Sequence, residues 1–268
     1  MVMSIAEETG APSSLQRMIS DLRRWSLGNL RYAADLILPP VCLHCHMPIV
    51  SHATLCADCW QNIDFITPPL CDRLGLPLTH SDGEITLSEA ARRDPPLYRR
   101  ARAVARFDGV MRNLIHGFKY ADRHEASLMF AYMMRSNGAQ LIQDADILMP
   151  VPLHPRKLWQ RRYNQAAILA NRLAAMTDLP LDLSGLRRIR KTPSQVGLSA
   201  EARRENVASA FAVKPGAEKN LRGKRVLLID DVITTGSTLE GCTRALKKAG
   251  AANVDCLALA IADFGATS

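Results

Sequence analysis

From residue 99 onward the chain alternates between short apolar runs and stretches whose apolar residues recur at helical spacing. Residues 103–107, 147–151, 226–229 and 254–260 have strand length, and the run 226–229 is Val-Leu-Leu-Ile without a polar break. An unbroken run rather than an alternating one marks a strand buried on both faces. Between these runs, 110–119, 125–136, 163–176 and 237–249 carry the helical period, and Gly250 is suited to end the last of them. Strands that alternate with helices in this way predict a parallel sheet with helices on both faces.

The part before residue 99 is patterned differently. Apolar residues at Leu15, Met18, Ile19, Leu22, Trp25, Leu30, Ala33 and Ile37 predict an amphipathic helix, which Pro39-Pro40 would stop. Arg17, Arg24 and Arg31 share one of its faces, read as the solvated side of a docking helix, with a membrane-surface helix as the alternative. Residues 60–98 are Pro-rich and weakly patterned and read as a connector, and no internal repeat stands out. The expected division is a tail and helix over 1–36, a small module over 37–72, a connector over 73–98 and an α/β domain over 99–264. A length of 268 residues accommodates one α/β domain and one small module.

Cysteine identifies the small module. Seven Cys, an odd number, in a chain whose start lacks a signal-peptide pattern argue against a disulfide framework. Four of them form two C-x2-C pairs, Cys42/Cys45 and Cys56/Cys59, ten residues apart. Two such turns complete a tetrahedral all-sulfur shell, the pattern of a structural Zn2+ site with no open position for catalysis. A redox C-x-x-C is the rival reading. His44, His46 and His52 read as surface residues. Cys71 has no partner three residues on, where Leu74 stands, so a complete second zinc site is not expected. Cys242 and Cys256 fall in apolar surroundings and read as core thiols.

Composition excludes a disordered or collagen-like chain, and no apolar run reaches the roughly 18 residues that span a bilayer, so a soluble cytoplasmic protein with no membrane span is expected. The net charge of +8 is unevenly spread. Residues 89–106, 154–162 and 187–206 each carry an excess of +4. Such clusters suit a polyanion, either a nucleic acid or a phosphorylated small molecule, or are simply solvated faces.

The most informative stretch is 226–238, Val-Leu-Leu-Ile-Asp-Asp-Val-Ile-Thr-Thr-Gly-Ser-Thr. A buried strand delivers Asp230 and Asp231 near its C-terminal end, where α/β sheets bind ligands. Thr234, Thr235, Ser237 and Thr238 supply hydroxyls, Gly236 permits close backbone approach, and a helix start then aims its free N–H groups at an anion. The loop suits a phosphate monoester, and the carboxylates suit sugar hydroxyls or a hydrated Mg2+. A Walker A lysine motif is absent.

All 13 positions resemble the 5-phosphoribosyl-1-pyrophosphate (PRPP) signature of type I phosphoribosyltransferases. The resemblance implies that Asp230 and Asp231 contact the ribose hydroxyls, directly or through Mg2+, and that Thr234, Thr235, Gly236, Ser237 and Thr238 cradle the 5-phosphate. An acid acting on a purine base, found in some members, is replaced here by Thr234. Val151 and Pro152, in Pro-Val-Pro-Leu-His, and Arg161, Asn164 and Gln165, in Arg-Arg-Tyr-Asn-Gln, match the pyrophosphate loop and the helix start after it. Residues 190–198 resemble the closing loop that brings cations to the leaving group, with Arg190 and Lys191 as its candidates. The order of these segments behind a four-cysteine module resembles the ComF/GntX family, which is associated with DNA uptake in natural competence. That resemblance implies either an enzyme that transfers phosphoribosyl from Mg-PRPP to a nitrogen acceptor, or an adaptor that binds single-stranded DNA or a competence helicase and uses the PRPP site for sensing or not at all. A homo-oligomer is compatible with both. Trp60, Phe65 and Trp159 are the candidates for base stacking; low aromatic content, 5%, argues against an extended stacking platform.

Overall fold

A computed structural model describes residues 39–80, 83, 85–120, 125–154, 158–159, 162–189 and 210–262. The expected helix over 13–37 therefore lies outside the described residues, as do Arg156, Lys157, Arg161, Arg190 and Lys191.

The elements are α1 (Ala57–Gln61), α2 (Glu89–Arg93), β1 (Ala101–Arg106), α3 (Gly109–Tyr120), α4 (Ala126–Asn137), α5 (Ala139–Asp144), β2 (Ile147–Pro150), α6 (Gln165–Thr177), β3 (Leu186–Arg188), β4 (Phe211–Val213), α7 (Glu218–Leu221), β5 (Arg225–Ile233), α8 (Ser237–Lys248) and β6 (Asn253–Ile261). Four strands form a parallel sheet in the order β1-β6-β5-β2. Successive residues of β5 serve opposite faces. Leu227 and Ile229 join a core with Met111, Phe118, Phe130 and Leu169 from α3, α4 and α6. Val226 and Leu228 join a second core with Leu239, Cys242 and Leu246 of α8. Burial on both faces is why the run lacks polar breaks. Cys242 and Cys256 are fully buried, as expected of core thiols.

The strand that carries the acids is longer than its apolar run. β5 continues through Asp230 and Asp231 because Val232 and Ile233 pair with Ala260 and Ile261 of β6. A short two-stranded antiparallel sheet, β3-β4, was not anticipated; it brings Arg188 over the Phe211 ring at 5.4 Å. The β1 edge is closed by residues 64–66: Ile66 N–H donates to Val104 O at 3.0 Å and Arg106 N–H to Asp64 O at 2.9 Å.

The region before β1 holds the largest departure from the sequence reading, because it contains a structural repeat. Val41 bridges Pro48, and Leu70 bridges Pro77. Cys42 N–H donates to Met47 O and Cys71 N–H to Leu76 O, each at 2.8 Å; Ile49 N–H and Leu78 N–H reach back to Pro40 O and Pro69 O. Cys56 caps α1 and Ser88 caps α2, each with its side chain accepting from the N–H three residues on. The backbone N–H groups of both caps donate at 3.3 Å to a cysteine of the preceding turn, Cys56 to Cys42 and Ser88 to Cys71. The connector is therefore a second copy of the cysteine module. The repeat does not show in the residue pattern because its ligand positions have diverged: Cys42, Cys45, Cys56 and Cys59 correspond to Cys71, Leu74, Ser88 and Ala91. Gly75 corresponds to His46; its φ of +68° and a Cβ position 2.4 Å from Ala101 O admit only glycine where the second copy docks on β1.

Candidate phosphate site and metal centre

At the C-terminal end of β5 the chain turns through Thr234, Thr235 and Gly236 into α8. Gly236, with φ of +73°, occupies the position just before the helix. Thr235 Oγ1 and Ser237 Oγ lie 2.9 Å apart across this turn. Two hydroxyls thus meet at the start of α8, an arrangement suited to anions.

Asp230 and Asp231, both half-buried, precede the turn with different partners. Burial, and then the charge of Asp231, pushes the Asp230 carboxyl well above the usual carboxylate range; the Asp231 N–H and Lys119 oppose this. Asp230 Oδ1 accepts from the Asp231 N–H at 2.8 Å. Asp231 instead holds an ion pair, with Lys119 Nζ 2.7 Å from its Oδ2. Lys119 is the cation that sequence reasoning missed. It lies at the end of α3, more than 100 positions from the acids, and the only signal was that an amphipathic helix ends on a lysine.

The other anticipated residues divide in two. Val151 follows β2, its N–H donating to Ile229 O at 2.9 Å, which sets the 150–152 loop beside β5. Asn164 and Gln165 brace the site. Asn164 caps α6, accepting from the Ala166 N–H at 3.1 Å, and donates to Val151 O at 3.0 Å. Gln165, 1% exposed, donates to Lys119 O at 3.4 Å, and Tyr163 OH donates to Phe118 O at 3.1 Å. The 163–165 segment therefore fastens the α3 terminus that presents Lys119. Arg161, Arg190 and Lys191 lie outside the described residues.

The first cysteine copy could hold a metal. The four thiol sulfurs of Cys42, Cys45, Cys56 and Cys59 lie within 4.8 Å of one another, and those of Cys45 and Cys56 are 3.7 Å apart. Tetrahedral Zn2+ with Zn–S bonds of about 2.3 Å places its sulfurs about 3.8 Å apart. Burial disfavours the Cys42 thiolate, but the N–H groups of Cys45, Cys56 and His44 outweigh it and hold this thiol at about 6. The donor set fits structural zinc. His44, expected on the surface, is instead half-buried between Cys59 and α3: its Nδ1 is 3.4 Å from Cys59 Sγ and its Nε2 is 3.2 Å from Asn113 Nδ2. In the second copy, the Cys71 thiol accepts from Leu74 N–H, Ser88 N–H and Ser88 OH instead.

The basic segment 89–106 is largely neutralised within the fold. Five of its six arginines face carboxylates: Arg93 pairs with Glu89, Arg99 and Arg100 with Asp144 and Asp255, Arg102 with Asp72, and Arg106 with Asp64. Asp255 is only 5% exposed, and it also accepts from the Arg100 N–H. The local excess of +4 is thus met by acids distant in sequence. Among the described residues no helix is long and apolar enough to cross a membrane.

Two family models match parts of the chain. The family model of a double zinc ribbon domain matches residues 33–90, both copies of the cysteine module, and that of a phosphoribosyl transferase domain matches residues 164–265. The chain is 31% identical over 228 residues to the DNA utilization protein YhgH of Escherichia coli O157:H7, an alignment covering 82% of this chain and 96% of that protein. It is 29% identical to competence protein F of Haemophilus influenzae over the same shares of the two chains. Among solved structures it is similar to a purine phosphoribosyltransferase from Pyrococcus horikoshii, with 21% identity, a TM-score of 0.34, and coverage of 53% of this chain and 77% of that one. With a zinc-ribbon pair ahead of a phosphoribosyltransferase-type sheet, and relatives aligned over nearly their whole length, the chain belongs to the ComF family.

Proposed function

We propose that the turn between β5 and α8 binds the 5-phosphate of PRPP, that Asp230 and Asp231 engage its ribose hydroxyls with Mg2+, and that the protein transfers the phosphoribosyl group to a nitrogen acceptor. The observation that carries this reading is the placement of two carboxyls, four hydroxyl residues and a helix N-terminus along one strand-turn-helix, 226–238. In the reaction a nitrogen lone pair forms a bond to C1 of the ribose, the C1–O bond breaks, and pyrophosphate departs with the bonding electrons. Mg2+ would neutralise charge growing on that leaving group.

Each residue then has a task. Asp230 and Asp231 fix the sugar, and Thr234, Thr235, Ser237 and Thr238 hold the phosphate through hydroxyl and N–H donors. Lys119, already beside the acids, supplies a cation, and Val151 and Pro152 line the pyrophosphate side. Asn164 and Gln165 act by holding Val151 and Lys119 in place. Arg161, Arg190 and Lys191 are proposed as further cations for pyrophosphate. Incubation with Mg-PRPP and a panel of nucleobases and amines, with pyrophosphate release as readout, tests the transfer. Release that requires an acceptor supports an enzyme; none with any acceptor overturns catalysis.

A second reading is a non-catalytic role in handling DNA. The relatives' names, DNA utilization protein and competence protein F, favour it, as does an open hollow that brings Trp60, Phe65 and Tyr132 together between the ribbon and α4. The internal pairing of Arg99, Arg100 and Arg102 counts against the basic segment as its DNA contact. Fluorescence anisotropy with labelled single-stranded DNA at several salt concentrations checks this reading, since neutralised phosphates appear as a salt slope.

A further inference from the structure

We infer that metal binding in the first ribbon and ligand binding at the phosphate site are coupled through α3, with His44 as the positioning residue; this rests on the PRPP reading above. α3 lies between the two sites. On the ribbon side, Cys42, Leu43, Cys59 and Ile63 share one packed cluster with Met111, Leu114 and Ile115 of the helix. On the other side α3 ends on Lys119, whose ammonium meets Asp231. The carbonyls of Phe118 and Lys119 are held by Tyr163 and Gln165, so the end of the helix has little freedom of its own.

With metal bound, the polar link across the ribbon–helix seam would run in one direction. A metal-bound thiolate has no proton and can only accept, so His44 Nδ1 donates to Cys59 Sγ. Nε2 is then the lone-pair nitrogen and accepts from the Asn113 amide, about 1.7 turns before Lys119. The metal thereby fixes the imidazole tautomer, the imidazole fixes Asn113, and the helix carries that constraint to its cation. A zinc ligand set needs only the four thiolates, so His44 and Asn113 can be changed without removing a ligand.

Coupling between two ligands is reciprocal in binding free energy, so it is read from either site. In the full chain, His44→Ala and Asn113→Ala are expected to keep one zinc per chain and the wild-type melting transition, yet to bind Mg-PRPP roughly two- to tenfold more weakly, the range of one hydrogen bond. The double variant is expected to be no weaker than either single one, because both break one link. Saturating Mg-PRPP is expected to tighten zinc binding, read by equilibrium competition with a chromogenic chelator, in the wild type and not in Asn113→Ala. If His44→Ala loses zinc, Asn113→Ala, which is remote from the ligands, carries the test. Wild-type PRPP affinity in zinc-loaded Asn113→Ala, together with wild-type zinc affinity that is indifferent to PRPP, overturns the coupling and leaves the PRPP reading standing. A wild-type protein that does not bind Mg-PRPP overturns both.

Discussion

Lys119 Nζ lies 2.7 Å from Asp231 Oδ2, and the two side chains are only 15% and 14% exposed. A lysine at the end of one helix thus neutralises one of two adjacent carboxyls on a strand more than 100 residues later. Removing it would leave Asp231 poorly solvated beside Asp230. Lys119→Met is expected to weaken Mg-PRPP binding at least tenfold, about 1.4 kcal/mol, while Lys119→Arg recovers part of the loss. Calorimetric titration checks this; equal affinity in Lys119→Met would remove the residue from the site.

Asp230 is a destabilising group for the folded chain at neutral pH. Its carboxyl is raised by burial and by Asp231. The folded chain therefore binds this proton more tightly than the unfolded chain, whose Asp titrates near about 3.9, and stability contributed here is lost as pH rises through the raised value. Asn keeps the oxygen that accepts from the Asp231 N–H and has no charge to bury. Asp230→Asn is expected to stabilise the ligand-free protein by about 0.5–2 kcal/mol at pH 7, the gain shrinking toward pH 4. Urea unfolding at the two pH values measures it, and a destabilised variant at pH 7 contradicts it.

Asp255 is the opposite case, a buried acid that serves the fold. It faces both Arg99 and Arg100 and accepts from the Arg100 N–H at the entrance to β1. Asp255→Ala would leave two guanidinium groups without their principal partner, and a loss of about 3 kcal/mol or more is expected. Thermal or urea melts read this directly; a loss under about 1 kcal/mol would show that Asp144 alone suffices.

The two ribbons differ in what they can bind. One copy has four thiolates; in the other, only Cys71 remains, beside Leu74, Ser88 and Ala91. Metal analysis of the purified chain is expected to give one zinc, and Cys45→Ser to lower that value while Cys71→Ser leaves it unchanged. Two zinc ions per chain would contradict the assignment.

What the sequence made legible follows from where the information lies. The strands 226–229 and 254–260 and the helices around Lys119 and Ser237 were readable because their patterns are local, and each lies within a few residues of its observed bounds. The turn from Asp230 to Thr238 was readable for the same reason. The Lys119–Asp231 pair and the arginines that meet Asp144 and Asp255 were hidden because their partners are brought together only by the sheet. The repeat was hidden because its copies retain backbone hydrogen bonds while three of four ligand positions differ. Asn164 and Gln165 were expected beside the site, but that they hold Val151 and Lys119 became visible only in three dimensions.

The central claim is that this strand-turn-helix is a working PRPP site. Isothermal titration of Mg-PRPP into the wild-type protein, Asp230→Asn and Asp231→Asn tests it most directly. The account predicts saturable binding in the wild type, weakened at least tenfold in each variant although both remain folded. No binding in the wild type, or equal binding in all three, would contradict it.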